Sequence, residues 1–530
     1  MKYFLLFFIC VLKVIFSYEG SWAEETLKHM SVEEKIGQLF IVPACPLRND
    51  NHYNDLLLVI EKYHVGGLIV KASDVAAQVS FLNTLQNISK NPLLVCMDGE
   101  NGIGMRVTDG ISFPLNLTLG AVEDDNLLFE LGKVIGTHCK NVGGHINLAP
   151  VVDVNNNPLN PRIHMRSFGD DPIEVAKKAS LIAKGMRSSN ILCCAKHFPG
   201  HGDTEIDSHE DLPVIKHSFE RLKEIEFVPF EKMALDGIDC IMTAHIKVVN
   251  LDDKYPATLS FKILDYLKNK MNFKGLIITD ALNMKALRDN FSIEDIAYYS
   301  YMAGNDLLLY GDHIAPNIDE ILQEEIPRAF NKLLKAYYEG EMLDLDERVL
   351  KILKAKEKLN LHKDRFTKLD KEIVFSSDAY QLKKKLFEKA VTLVKGNHNL
   401  LDNVLNKKVG YLMLGDENVN SFKNNLLKKE NVKEFKDGEM FDLVVVSLDG
   451  IFPNKHNYSI SDKDIELIHD IPKRYDTILI IFGTPYSLKF FKDLSCVIVG
   501  YEEDKDVQKA CFDILEGKLK ALGKLPINIE

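Results

Sequence analysis

Residues 275–280 read Gly275-Leu276-Ile277-Ile278-Thr279-Asp280, an apolar run of strand length that ends on an acid. A strand buried on both faces takes continuous branched aliphatic residues, and a carboxylate set directly behind it is costly unless paired or used. The same arrangement recurs along the chain. The apolar runs are Gly37–Val42, Gly66–Val70, Leu93–Met97, His145–Pro150, Ile191–Lys196, Cys240–Ala244, Leu276–Thr279 and Asp306–Leu309, with helical patterns such as Ser73–Asn83, Leu127–Cys139 and Pro172–Ser188 between them. Eight strand-and-helix units in succession predict an α/β fold, a (β/α)8 barrel over residues 24–345. A doubly wound open sheet is the rival, since counting strands does not demonstrate closure.

The residues at the end of each run favour the barrel. Asp98 and Glu100 come after Met97, Lys196 and His197 after Ala195, His245 after Ala244, and Asp280 after Thr279. Titratable residues therefore gather at the C-terminal ends of strands, where barrel enzymes build their sites.

Beyond the barrel the composition turns highly charged over residues 346–385, which reads as a linker helix with solvated faces of mixed sign. Residues 386–530 read as a smaller α/β sandwich with strands at Val409–Leu414, Leu443–Ser447, Thr477–Phe482 and Cys496–Val499. At the other end, residues 1–23 read as a secretory leader. Met1-Lys2 precedes an apolar run to Leu12, interrupted by Lys13, with small residues at Ser17 and Ala23. The alternative is an N-terminal anchor, for which the pieces are short. The expectation is export to a periplasmic or extracellular location, with no stable membrane span once the leader is cleaved.

The 530 residues carry a formal net charge of −12, with 46% hydrophobic and 27% charged residues. That is ordinary for a soluble fold and argues against a nucleic-acid partner, which needs a basic face. The nine cysteines show no CxxC spacing, so neither a zinc site nor a disulfide framework is expected.

The densest chemistry lies in KHFPGHGDTEIDSHE, residues 196–210. His197, His201 and His209 could suggest a metal, but Pro199 and Gly200 break the helix that would align the first two. A Ser-His-Asp triad lacks a strand–turn–helix elbow around Ser208, and a phosphate-binding loop lacks its Lys-Ser/Thr. What remains is an Asp207–His209 pair, in which a carboxylate steadies an imidazole as a proton donor near neutral pH. The plain alternative is a solvated turn. Asp280 reads either as a nucleophile for a sugar's anomeric carbon or as an N-cap for a helix after Ala281. Asp98, Glu100, Arg106 and Arg166 suit sugar hydroxyls, though each alone could be a surface ion pair.

Together these motifs resemble glycoside hydrolase family 3, on its N-acetyl-β-glucosaminidase branch. The matching stretches are KHFPGHGDTEIDSHEDLPVI (196–215), GLIITDALNM (275–284), NLAPVVDVNNNP (147–158) and MRSFGDDP (165–172), with GKLPINI near the C-terminus. The resemblance implies Asp280 as nucleophile and His209 with Asp207 as acid/base dyad. It implies Asp98, Arg106, Arg166, Lys196 and His197 as substrate ligands, a retaining mechanism and no cofactor. The implied partner is a carbohydrate, namely N-acetylglucosamine-containing muropeptides. One departure stands out: many members read DQEGG where this chain reads Asp98-Gly99-Glu100-Asn101-Gly102, which leaves the loop shape near Asn101 open. A β-glucosidase or β-xylosidase of the same family, or a non-catalytic sugar-binding protein, are the competing readings.

Overall fold

The computed structural model describes residues 20–71, 73–206, 210–311, 317–396, 401, 404–415, 420–451 and 456–529. Most of the expected leader (1–19) and the whole Asp207-Ser208-His209 segment lie outside the described residues.

Eight short strands form the first sheet: Phe40–Ala44, Gly67–Val70, Leu94–Met97, Ile146–Asn147, Leu192–Phe198, Cys240–Thr243, Leu276–Thr279 and Leu308–Leu309. Each of the first seven pairs in parallel with its sequential neighbour in that series, and the eighth returns to the first through Phe40 opposite Leu308. A parallel bridge joins Ile278 to Leu307, and the Thr279 amide donates to the Leu307 carbonyl at 3.0 Å. That contact closes the ring and removes the open-sheet alternative. The strands are buried throughout, as side chains filling a barrel from inside and helices covering it from outside require.

The helices are set by local signals. Asp124 caps Asp125–Asn141, and Asp171 caps Pro172–Ser188, which also has proline in its first turn. These two helices lie very close together. A Cβ built on Gly132 would stand 2.1 Å from the Ile182 carbonyl oxygen, and one on Gly185 would stand 2.1 Å from that of Phe129. Only glycine permits that approach.

The expected linker helix is instead three helices, Leu345–Lys358, Lys371–Val374 and Ser377–Ala390. The first is not solvated all round. It buries Leu345, Val349, Ile352 and Leu353 and packs against the helix Trp22–His29. Its apolar positions three and four apart form a buried face, and two of its charged residues, Arg348 and Lys356, are buried beside it. Ser21 and Glu24 form a capping box on Trp22–His29, the Trp22 amide donates to Glu357 Oε1 at 2.7 Å, and Ala23 is fully buried. Trp22 and Ala23, at the end of the expected leader, are thus packed into the fold.

The second sheet runs Thr392–Lys395, Val497–Val499, Asp476–Gly483, Leu443–Ile451, Val409–Gly415, Val432–Glu434 in spatial order. Only the first pairing is antiparallel. The two strands absent from the sequence reading, Thr392–Lys395 and Val432–Glu434, are short edge strands with exposed positions. Edges need no continuous apolar run. The eight described cysteines are buried thiols, none of them in a disulfide. Among the described residues no helix is long and apolar enough to cross a membrane.

Candidate active site

The C-terminal mouth of the barrel holds a cavity of about 300 Å³. Asp98, Glu100, Arg106, Arg166, Lys196, His197 and Asp280 all line it, with Ile69, Leu148, Met242 and Leu309 supplying apolar wall. Of the nucleophile, the dyad and the substrate ligands expected from the sequence, all but the dyad thus meet in one place. Asp207 and His209 lie outside the described residues.

The charged groups form a continuous alternating chain. Arg106 Nη2 donates to Asp98 Oδ2 at 2.8 Å, and Lys196 Nζ reaches both Asp98 Oδ1 (3.1 Å) and Glu100 Oε1 (2.8 Å). Arg166 grips Glu100 with two prongs, Nε to Oε2 at 2.9 Å and Nη2 to Oε1 at 2.7 Å. Its Nη2 also lies 3.5 Å from His197 Nε2. His197 Nδ1 donates to Asp153 Oδ2 at 2.7 Å, and the same carboxylate accepts the His197 amide and, at 2.7 Å, the His201 amide.

These pairings fix the charge states. Burial alone would raise the Glu100 carboxyl, but the Arg166 and Lys196 charges outweigh it and hold the group well below the usual range. The Lys196 amine is pulled down by burial and lifted further by Glu100 and Asp98, so it ends above its ordinary value. Asp153 is likewise held low against its burial by His197. Burial lowers His201 to about 4, an effect that Asp153 only partly offsets, so its imidazole stays neutral. The result is a largely buried set of fixed donors and acceptors, with Arg106 and Arg166 partly open to solvent.

Asp280 is held by its backbone. Its amide donates to the Thr243 carbonyl at 2.9 Å, and its own Oδ1 accepts the Ala281 amide at 2.8 Å. His245 steadies the next turn, donating from Nε2 to the Ala281 carbonyl at 2.9 Å, with Nδ1 2.8 Å from the Thr258 hydroxyl. The capping alternative does not hold. The next helix is Lys285–Arg288, preceded by Met284 with no side-chain cap. Asp280 therefore faces the cavity without capping a helix.

The loop around Asn101 turns sharply. The Phe113 amide donates to the Asn101 carbonyl at 2.8 Å, and Gly102 sits at φ 101°, a conformation that favours glycine. Asn147, in the fourth strand, clamps the loop: its side-chain amide exchanges two hydrogen bonds with the Gly99 backbone, at 2.9 and 3.0 Å. Asp98 and Glu100 flank that clamp.

Asp153, Asn147 and Arg162 do not stand out in the sequence, although the first two lie in the NLAPVVDVNNNP stretch. An acid within a Val-Asn run reads as a turn until its partner 44 residues away is known. Among the described residues no group of three or more His, Cys, Asp or Glu side chains could hold a metal ion. His197 Nδ1 is engaged by Asp153, and His201 Nδ1 lies 2.8 Å from the Thr204 hydroxyl.

A closed parallel barrel with carboxylates and cations ringing its C-terminal mouth has the layout of a barrel-enzyme active site. The family model for the glycosyl hydrolase family 3 N-terminal domain matches residues 31–354, and the chain belongs to that family. Among curated relatives, beta-hexosaminidase A of Pseudoalteromonas piscicida is 33% identical over 281 residues, 48% of this chain and 47% of that protein. Beta-hexosaminidase LpqI of Mycobacterium tuberculosis is 28% identical over 341 residues, 62% of this chain and 83% of the relative. The chain thus spans about half the length of the first of these. A solved structure of a glycoside hydrolase family 3 beta-N-acetylglucosaminidase from a Paenibacillus species superposes with a TM-score of 0.78 at 26% identity, covering 94% of this chain and 99% of that one. A beta-glucoside phosphorylase, BglX, shares the fold at 23% identity with a TM-score of 0.81, covering 96% of each chain.

Proposed function

We propose that this protein is a retaining glycosidase that removes β-linked N-acetylglucosamine, with N-acetylglucosamine-containing muropeptides as its substrates outside the cytoplasm. The observation that carries the reading is Asp280 at the end of the seventh strand, facing a cavity of about 300 Å³ ringed by Asp98, Glu100, Arg106, Arg166, Lys196 and His197. The named activities of the relatives and of the Paenibacillus structure support the choice of sugar.

In this reading Asp280 attacks the anomeric carbon as the glycosidic bond breaks. His209, oriented by Asp207, donates a proton to the leaving oxygen. Water then enters, His209 takes its proton, and the glycosyl–Asp280 ester is released with overall retention. Arg166, Lys196, Asp98 and Arg106 hold the ring hydroxyls throughout.

Product analysis on purified peptidoglycan fragments tests the substrate. Free N-acetylglucosamine, released first as the β-anomer, is the expected product. Intact fragments beside a rapidly cleaved glucoside or xyloside would overturn the choice of sugar, and binding of N-acetylglucosamine without turnover would overturn the chemistry.

A further inference from the structure

Arg166 and Arg162 both line the cavity, yet they stand on a stretch, residues 155–169, whose only regular structure is the turn His164–Arg166. An arginine on so irregular a loop needs outside support to keep a two-pronged grip. Support comes from the second domain at two points.

The first is Tyr486. Its hydroxyl accepts from Asn155 Nδ2 at 2.7 Å and donates to the Asn155 carbonyl at 3.1 Å. The same Asn155 accepts the His164 amide on Oδ1 at 2.9 Å, and the Tyr486 ring stands edge-on to the His164 ring at 4.6 Å. Tyr486 is 5% exposed, so this is a closed joint and not a rim contact.

The second is Glu502. Its Oε1 accepts the Leu115 amide at 2.8 Å and the Thr118 hydroxyl at 2.5 Å. The short helix so fixed, Asn116–Gly120, carries Asn116, whose Nδ2 donates to the Arg166 carbonyl at 2.7 Å. Both ends of the turn His164–Arg166 are therefore tied, through one intermediary each, to side chains of the second domain. None of the described residues lining the cavity comes from that domain.

We propose that Tyr486 and Glu502 are positioning residues for Arg166, so that the second domain tunes the affinity of the barrel site for its sugar through side chains that do not themselves line the cavity. This rests on the reading of Arg166 as a sugar ligand given above.

The test uses the full chain with p-nitrophenyl N-acetyl-β-glucosaminide, together with calorimetric binding of N-acetylglucosamine. Tyr486→Phe and Glu502→Ala are expected to raise KM about 5- to 20-fold with kcat within about threefold, and Glu502→Gln to recover part of the loss by restoring an acceptor. In an Arg166→Ala background the same changes should have little further effect on kcat/KM, because the group they position is gone. Thermal melting of each variant identifies any that fail to fold, and Tyr486→Phe, which removes one oxygen, keeps the test open if Glu502→Ala does not. Unchanged KM in folded Tyr486→Phe and Glu502→Ala, or the same penalty with and without Arg166, would overturn the proposal. A wild-type protein that neither cleaves the glycoside nor binds the sugar would overturn the functional reading instead.

Discussion

His197 Nδ1 lies 2.7 Å from Asp153 Oδ2, and that single contact decides which way the imidazole faces. With Nδ1 donating to a buried carboxylate, Nε2 is left as the group turned toward Arg166 and the cavity. Asp153→Asn keeps the size and loses the charge. It is expected to lower kcat/KM by about 10- to 100-fold, in line with the loss of a charged hydrogen-bond partner. Steady-state kinetics with a chromogenic N-acetylglucosaminide checks it; a change under about twofold in a folded variant would count against a role for the pair.

Glu100 accepts from both Arg166 and Lys196 in a buried setting. Glu100→Gln removes the carboxylate shared by the buried Lys196 and the half-buried Arg166, while Lys196 keeps its bond to Asp98, so a loss of about 1.5–3 kcal/mol is expected from the weakened charged hydrogen bonds. The sign with pH comes from its low carboxyl pKa. A carboxyl held below its unfolded value of 4.5 stabilises the fold above that value and loses this contribution as pH falls through the acid range. Urea denaturation of wild type and Glu100→Gln should therefore show a gap that is wide near neutral pH and narrows below the free value of 4.5.

Glu502 shifts the opposite way. Burial raises its carboxyl to about 7, against 4.5 when free, and the hydrogen bonds from Thr118 and Leu115 only partly counter this. The buried charged form is the costly one, so stability is complete below about 4.5 and lost as pH rises toward 7. The melting temperature of wild type, measured relative to Glu502→Gln, should fall across that window. A flat difference across the same window would show that the carboxyl titrates normally.

Gly132 and Gly185 let the helices Asp125–Asn141 and Pro172–Ser188 touch backbone to backbone. Gly132→Ala gains helix propensity but places a methyl 2.1 Å from a carbonyl oxygen. The steric term wins, and a net loss of about 1–3 kcal/mol is expected. Chemical denaturation should show it, with KM unaltered in the surviving folded protein.

How far the molecule can be read from its sequence depends on the range of the interaction. The barrel strands announce themselves because buried parallel strands are continuous apolar runs, and the acids and cations behind them are conspicuous for being costly there. Asp98, Arg106, Arg166, Lys196, His197 and Asp280 are visible for that reason or through the motifs that contain them. Asp153 is not, since its meaning depends on His197, 44 residues later. Tyr486 and Glu502 are further out of reach: an aromatic and a glutamate in an α/β domain look like core and surface until the fold sets them against Asn155 and Thr118. The helices after residue 345 read as one solvated linker because their charge outweighs the narrow apolar stripe that packs against Trp22–His29.

Asp280 carries the proposed chemistry. Its most direct test is the rate of p-nitrophenol release from the N-acetyl-β-glucosaminide by wild type and by Asp280→Asn, both confirmed folded by their melting curves. A covalent role for Asp280 predicts turnover by wild type and a fall in kcat of roughly 10³-fold or more in the variant, with sugar binding retained. An Asp280→Asn protein that turns over at close to the wild-type rate would contradict it.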